Sequence, residues 1–169
     1  SLIDPKSGDP IPTQLFVAVW GASTYTFAEA SLTQQLPDWI GSHTRAFEYF
    51  GCVPKVLVPD CLKSAVSRAC RYEPELNPTY ADMASHYAIC VIPARPARPR
   101  DKAKVENGVL IAKRWILSVL RHRNFYTLAA LNAAIRELLE RLNNRMLRKL
   151  KQSRRQLFET LDRPALKPL

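Results

Sequence analysis

The sequence predicts an α/β fold: a mixed sheet flanked by helices, with additional helices at the C-terminal end. Three observations predict it. Short apolar or alternating runs recur at residues 14–20, 24–30, 55–58 and 88–93, and helical patterns separate the later ones. Past residue 101 the apolar residues recur only at helical spacing. The chain has 169 residues, 47% of them hydrophobic, which is enough for one packed core.

Taken in order, residues 1–12 hold Asp4-Pro5-Lys6-Ser7-Gly8-Asp9-Pro10, the chemistry of a hairpin tip, with most of its first strand missing. Gln14–Trp20 is a nearly continuous apolar run, as a buried central strand would be. Gly21-Ala22-Ser23 turns the chain, and Thr24–Ala30 reads as the antiparallel partner. Pro37 suits a helix first turn and Gly51 a C-terminal cap. Between them Trp39, His43, Phe47 and Phe50 share one face, so His43 reads as a core histidine rather than a ligand. Lys55–Val58 is the next strand, ended by Pro59-Asp60, and Cys61–Ala69 reads as a short helix. Asn77-Pro78 starts a helix to about His86, and Ala88–Pro93 is a further strand. Prolines 93, 96 and 99, with arginines 95, 98 and 100 among them, predict an extended segment.

A long helix is predicted from Asp101 to Arg121, with a core stripe of Val105, Val109, Ala112, Ile116 and Val119. The next starts at Thr127 and buries Leu128, Leu131, Ile135, Leu138 and Leu142. The last starts at Ser153, where Ser-Arg-Arg-Gln is a capping-box pattern. Residues 1–125 read as one α/β domain and 126–169 as a C-terminal helical extension.

Charge narrows the function. Residues 1–93 hold 6 Lys/Arg against 9 Asp/Glu, net −3, and residues 94–169 hold 19 against 6, net +13. Such asymmetry suggests a polyanion partner for the second half. No run of about 18 apolar residues is present, and the first residues lack the pattern of a signal peptide. The four cysteines form no Cys-x-x-Cys pair, which favours reduced thiols over a zinc site. A cytoplasmic protein is expected.

Two acids carry candidate chemistry. Asp60 follows a strand at its carboxyl end, where α/β sheets place functional groups, and Glu106 lies in the first turns of a helix. Carboxylates suit Mg²⁺, a hard ion that prefers oxygen, and two such ions can assist displacement at phosphorus. Plainer roles exist. Asp60 could cap a turn, and Glu106 could pair with Lys102 four residues before it.

The segment 15–30 and the stretches Leu36-Pro37-Asp38-Trp39-Ile40, Val58-Pro59-Asp60-Cys61-Leu62-Lys63-Ser64, Tyr72-Glu73-Pro74-Glu75-Leu76-Asn77-Pro78-Thr79-Tyr80 and Arg98-Pro99-Arg100-Asp101-Lys102-Ala103-Lys104-Val105-Glu106 carry a resemblance. Together they resemble the IstA-type DDE transposases, whose catalytic core is RNase H-like, as in retroviral integrases. The resemblance covers nearly the whole chain. It implies an RNase H-like mixed sheet, with Asp60 and Glu106 as the second and third carboxylates of the DDE triad, binding Mg²⁺ with Mn²⁺ as a substitute. It implies DNA contacts from Arg95, Arg98, Arg100, Lys102, Lys104 and Lys113. It also implies end cleavage and strand transfer on DNA, an AAA+ ATPase helper and a homo-oligomeric active complex. The family's first Asp lies before the opening hairpin, and Asp4 stands at the wrong place to replace it. A fragment inactive by itself is therefore expected. Two alternatives are a non-catalytic DNA-binding or assembly module of the same fold and an RNase H-type nuclease.

Overall fold

The computed structural model describes residues 1–59, 66–68, 75–92 and 99–169, and the side chains of all of these except 66–68, 75–76 and 99–105. The elements begin with β1 (Leu2–Ile3), β2 (Pro10–Ile11), β3 (Gln14–Val19), β4 (Thr26–Ser31), α1 (Leu36–Phe50), β5 (Cys52–Val53) and β6 (Val56–Leu57). They continue with β7 (Val66–Arg68), β8 (Glu75–Leu76), α2 (Pro78–His86), β9 (Cys90–Val91), α3 (Pro99–Leu120) and α4 (Leu128–Asn144). The chain ends with β10 (Met146–Leu147), β11 (Gln152–Ser153), α5 (Arg154–Leu157), a π-helical turn Phe158–Asp162, a 3-10 turn Arg163–Ala165 and β12 (Lys167–Pro168). Two compact units result, Ser1–Thr33 with Lys102–Ala165, and Gln34–Asp101 with Leu166–Leu169.

In the first unit β3 and β4 pair antiparallel, from Gln14↔Ser31 to Val19↔Thr26. All six residues of β4 are buried, whereas β3 is mostly half-buried. The buried strand is thus β4 and not the more apolar β3, because α4 covers β4. Two asparagines of α4 close the outer edge of β4. Asn143 Oδ1 accepts the Thr26 N–H at 3.1 Å and its Nδ2 donates to the Thr26 carbonyl at 2.7 Å. Asn132 does the same for Ala30, at 2.7 and 2.9 Å. Eleven residues make about three helical turns, so both amides reach the same strand. An edge that would otherwise offer free N–H and C=O groups is blocked.

Small residues admit the helix: Ala28 and Ala30 pack in one core with Ile116 and Leu120 of α3 and Leu131, Ile135, Leu138 and Leu139 of α4. Trp115 Nε1 donates to the Leu138 carbonyl at 3.1 Å, joining α3 to α4. The opening hairpin pairs β1 with β2, and Asp4 Oδ1 accepts the Lys6 N–H at 2.8 Å across its turn. At the other end Ser153 and Gln156 form both bonds of the capping box. Phe158 stacks on Tyr25 with centroids 4.8 Å apart.

The stripe of α3 differs from the expected one. Gly108, Ala112, Ile116 and Leu120 are buried, while Val119 is 46% exposed. The contact line runs in steps of four, the ridge of a helix crossing its support at an angle. The expected Val105 side chain lies outside the described ones.

In the second unit α1 has Pro37 in its first turn and ends at Gly51, whose φ of 65° is left-handed. Asn77 caps α2 by accepting the Thr79 N–H at 3.0 Å. His43 is a satisfied core residue. Its Nδ1 lies 2.8 Å from the Trp39 carbonyl and its Nε2 3.2 Å from the Tyr80 hydroxyl. A carbonyl can only accept, so Nδ1 carries the proton and Nε2 accepts from Tyr80. Burial holds the imidazole down at about 4, against the opposing pull of the Trp39 carbonyl. Burial pushes the Tyr80 hydroxyl up.

β6 and β9 pair parallel, Val56↔Cys90 and Leu57↔Val91. The four runs expected in one sheet therefore form two pairs among the described residues, one antiparallel and one parallel. Part of the helix expected over Cys61–Ala69 is a strand instead, since β7 pairs antiparallel with β8. β-branched Val66 favours that conformation over a helix; the rest of that stretch lies outside the described residues.

Candidate active site and DNA-binding face

Glu106 lies about two turns into α3, and its carboxylate is exposed. Among the described residues it has no ion-pair or hydrogen-bond partner. Its oxygens are therefore open to a hard cation or to water. What fixes its position is Gly108. A Cβ built on Gly108 would stand 2.9 Å from Val19 Cγ1 at the end of β3, closer than real Cβ contacts come. The helix thus rests backbone-first on the strand at this point. Two residues subtend about 200° around a helix, so Glu106 points away from the buried contact that locates it.

Lys113 is exposed seven residues further along α3. Seven residues are close to two full turns, so Glu106 and Lys113 lie on one line about 10 Å apart along the axis. The helix thus brings a carboxylate and a cation to the same solvent face. Arg100, Lys102 and Lys104 are placed on α3 as well, with side chains outside the described ones. Asp60, Arg95 and Arg98 lie outside the described residues altogether. The chain leading to Asp60 is described through β6 to a buried Pro59. Among the described residues no cluster of three or more His, Cys, Asp or Glu side chains forms a metal site.

Reading the sequence for charged residues missed Gly108. Its signal is a glycine inside an otherwise helical pattern, which costs about 1 kcal/mol relative to alanine and so marks a close approach.

The chain is 56% identical over 168 residues to the "Putative transposase y4bL/y4kJ/y4tB" of Sinorhizobium fredii, covering 99% of this chain and 33% of that protein. It is 51% identical over 162 residues to the "Putative transposase for insertion sequence IS408" of Burkholderia multivorans, covering 96% and 31%. It is 34% identical over 130 residues to the "Transposase for insertion sequence element IS21" of Pseudomonas aeruginosa, covering 76% and 32%. The chain spans about a third of the length of these relatives. No family model matches it.

Among solved structures it superposes on the catalytic core domain of BIV integrase with a TM-score of 0.69 at 13% identity, covering 90% of each chain. On the HTLV-2 integrase catalytic core domain in complex with magnesium the TM-score is 0.65 at 18% identity, covering 86% of this chain and 84% of that one. By sequence the chain is thus similar to about a third of the length of these transposases, and it has the RNase H-like fold of integrase catalytic cores.

Proposed function

We propose that this chain is the catalytic-core part of a DDE DNA transposase, with Asp60 and Glu106 as two of its catalytic carboxylates. The observation that carries the reading is the placement of Glu106: an exposed carboxylate on a helix seated against β3 through Gly108, within an integrase-core fold. Mg²⁺, or Mn²⁺ in its place, is the proposed metal. The donor set suits it, since Glu106 offers hard oxygens that no described side chain occupies. When bound, such ions activate a water or hydroxyl and stabilise a leaving oxygen.

The residues of the chain then have distinct tasks. Asp60 and Glu106 hold the metal. Arg95, Arg98, Arg100, Lys102, Lys104 and Lys113 hold the phosphates of the DNA against that site. The proposed reaction is hydrolytic nicking at the element ends, followed by attack of the freed 3′-hydroxyl on target DNA. Both are in-line displacements at phosphorus without a covalent protein intermediate. The partners are DNA, an AAA+ ATPase helper and further copies of the transposase; the HTLV-2 core is described in dimeric and trimeric forms. Action at the bacterial nucleoid, in the cytoplasm, completes the proposal.

The test is nicking of DNA carrying the element ends by the complete protein that contains these residues. Cleavage should require Mg²⁺ or Mn²⁺ and cease with EDTA. Cleavage that persists without divalent metal would contradict the proposal, and cleavage confined to RNA–DNA hybrids would point to an RNase H-type nuclease instead.

A further inference from the structure

Between Glu140 and Glu159 the chain carries seven Lys or Arg residues and no acid. Four of the seven are used by the fold. Arg141 pairs with Glu137, and Arg155 with Glu140. Buried Arg154 donates to the Leu142 carbonyl at 3.3 Å. Arg145 lies over the Trp115 ring, 5.4 Å from its centroid. The remaining three, Arg148, Lys149 and Lys151, occupy the turn between β10 and β11. All three are exposed, and among the described residues none has an ion-pair partner.

This turn is a built structure. Its strands pair Met146↔Ser153 and Leu147↔Gln152, and the Leu147 carbonyl accepts both the Leu150 N–H at 3.1 Å and the Lys151 N–H at 2.8 Å. The capping box at Ser153 fixes its far end. Lys151 has a φ of 51°, a left-handed conformation that glycine adopts without steric cost and lysine does not. A lysine therefore sits where the backbone alone favours glycine. Strain kept at an exposed position, beside two more uncommitted cations, marks a tip that presents charge for use outside the fold.

The tip is separate from the Glu106 face. Trp115, on which Arg145 rests, is nine residues beyond Glu106 on α3. Nine residues are two and a half turns, which puts the two on opposite faces and about 13 Å apart along the axis.

We propose that the Arg148, Lys149 and Lys151 turn is a second DNA-contact surface, gripping phosphates of duplex away from the phosphodiester being cut. The proposal rests on the DNA-transposase reading given above. A duplex carries a negative charge about every 1.7 Å of its axis, so three neighbouring cations can each meet a phosphate. A two-stranded ribbon is also narrow enough to approach a groove. The contact reads no sequence, since phosphates carry none.

The experiment measures binding of the 169-residue chain to a duplex of unrelated sequence at several salt concentrations. Replacing Arg148, Lys149 and Lys151 together by Gln should reduce the log–log salt slope by about 2.7, at about 0.9 per phosphate contact, and weaken binding at least about tenfold at low salt. Lys151→Gly alone should reduce the slope by about 0.9 while the melting temperature holds or rises. A slope unchanged in the triple variant, with the parent chain binding DNA, would overturn the hairpin proposal and leave the DNA reading standing. No duplex binding by the parent chain would overturn both. A Lys151→Gly variant that melts lower with an unchanged slope would make that lysine structural and overturn its role. Loss of binding to anionic vesicles, with duplex binding intact, would assign the turn to a lipid surface and overturn the DNA contact.

Discussion

Gly108 and Val19 stand so close that a single methyl at position 108 would lie 2.9 Å from Val19 Cγ1. Val19 is β-branched and short, so it cannot swing aside as a long side chain could. Gly108→Ala sets two effects against each other. Alanine should gain about 1 kcal/mol of helix propensity, and overpacking should cost about 1–3 kcal/mol. The expected outcome is no net gain and a loss of up to about 2 kcal/mol in urea unfolding. Nicking should fall further than stability does, because a shift of about 1 Å in a catalytic group can cost about a hundredfold. An alanine variant that is more stable and fully active would mean that the contact does not locate Glu106.

The asparagine clamp makes a second prediction. Asn143 is 0% exposed and satisfies both backbone groups of Thr26. Asn143→Ala leaves that N–H and C=O buried without their partner, which should cost about 2–4 kcal/mol. Asn132 is half-buried, so the same change there should cost roughly 1 kcal/mol, because water can replace the amide. Denaturant titrations of the two variants check the order; equal, small effects would mean that the clamp does not hold the edge of β4.

These features divide according to how local their causes are. The bounds of α1 and α2 were legible because Pro37, Gly51, Asn77 and Pro78 act on their own neighbours. The capping box at Ser153 was legible for the same reason. The clamp was not, since Asn143 and Thr26 are 117 residues apart and an asparagine in a helix gives no hint of a strand it closes. The α3 stripe was shifted at its C-terminal end, because periodicity shows that a face is apolar and not the angle at which it crosses its support. Val66–Arg68 read as helical because a three-residue strand is too short to show a period. At the candidate site, Glu106 and Lys113 fall where their helical spacing places them, whereas the Gly108 contact depends on a strand about ninety residues earlier.

His43 makes stability depend on pH. Its folded imidazole is held at about 4 against an ordinary 6.5. The unfolded chain takes up the proton first as pH falls, so the stabilisation is fully present above about 6.5 and is lost on the way down to about 4. At about 1.4 kcal/mol per pH unit, the loss is at most about 3 kcal/mol. Urea midpoints from pH 7 to pH 4 should fall for the parent chain and fall less for His43→Gln. Parallel curves would show that His43 is not the group responsible.

Lys113 and Glu106 share a face, and the proposed site gives them different tasks. Lys113→Gln should weaken DNA binding and lower its salt slope by about 0.9, while the metal requirement of nicking stays the same. Measurement of both properties on one variant separates a phosphate contact from a metal ligand. A changed metal requirement with an unchanged salt slope would reverse the assignment.

Asp60 and Glu106 are proposed to serve one catalytic site, and a double-substitution cycle decides whether they act together. Nicking rates would be measured with Mn²⁺ for the complete transposase and for Asp60→Asn, Glu106→Gln and the pair together. Groups that act as a unit are non-additive: losing either costs about as much as losing both. Each single change should lower the rate at least about a hundredfold, and the double variant should lie within a few-fold of the slower single one. Rates that multiply in the double variant, or a Glu106→Gln enzyme within about tenfold of the parent, would contradict the proposal.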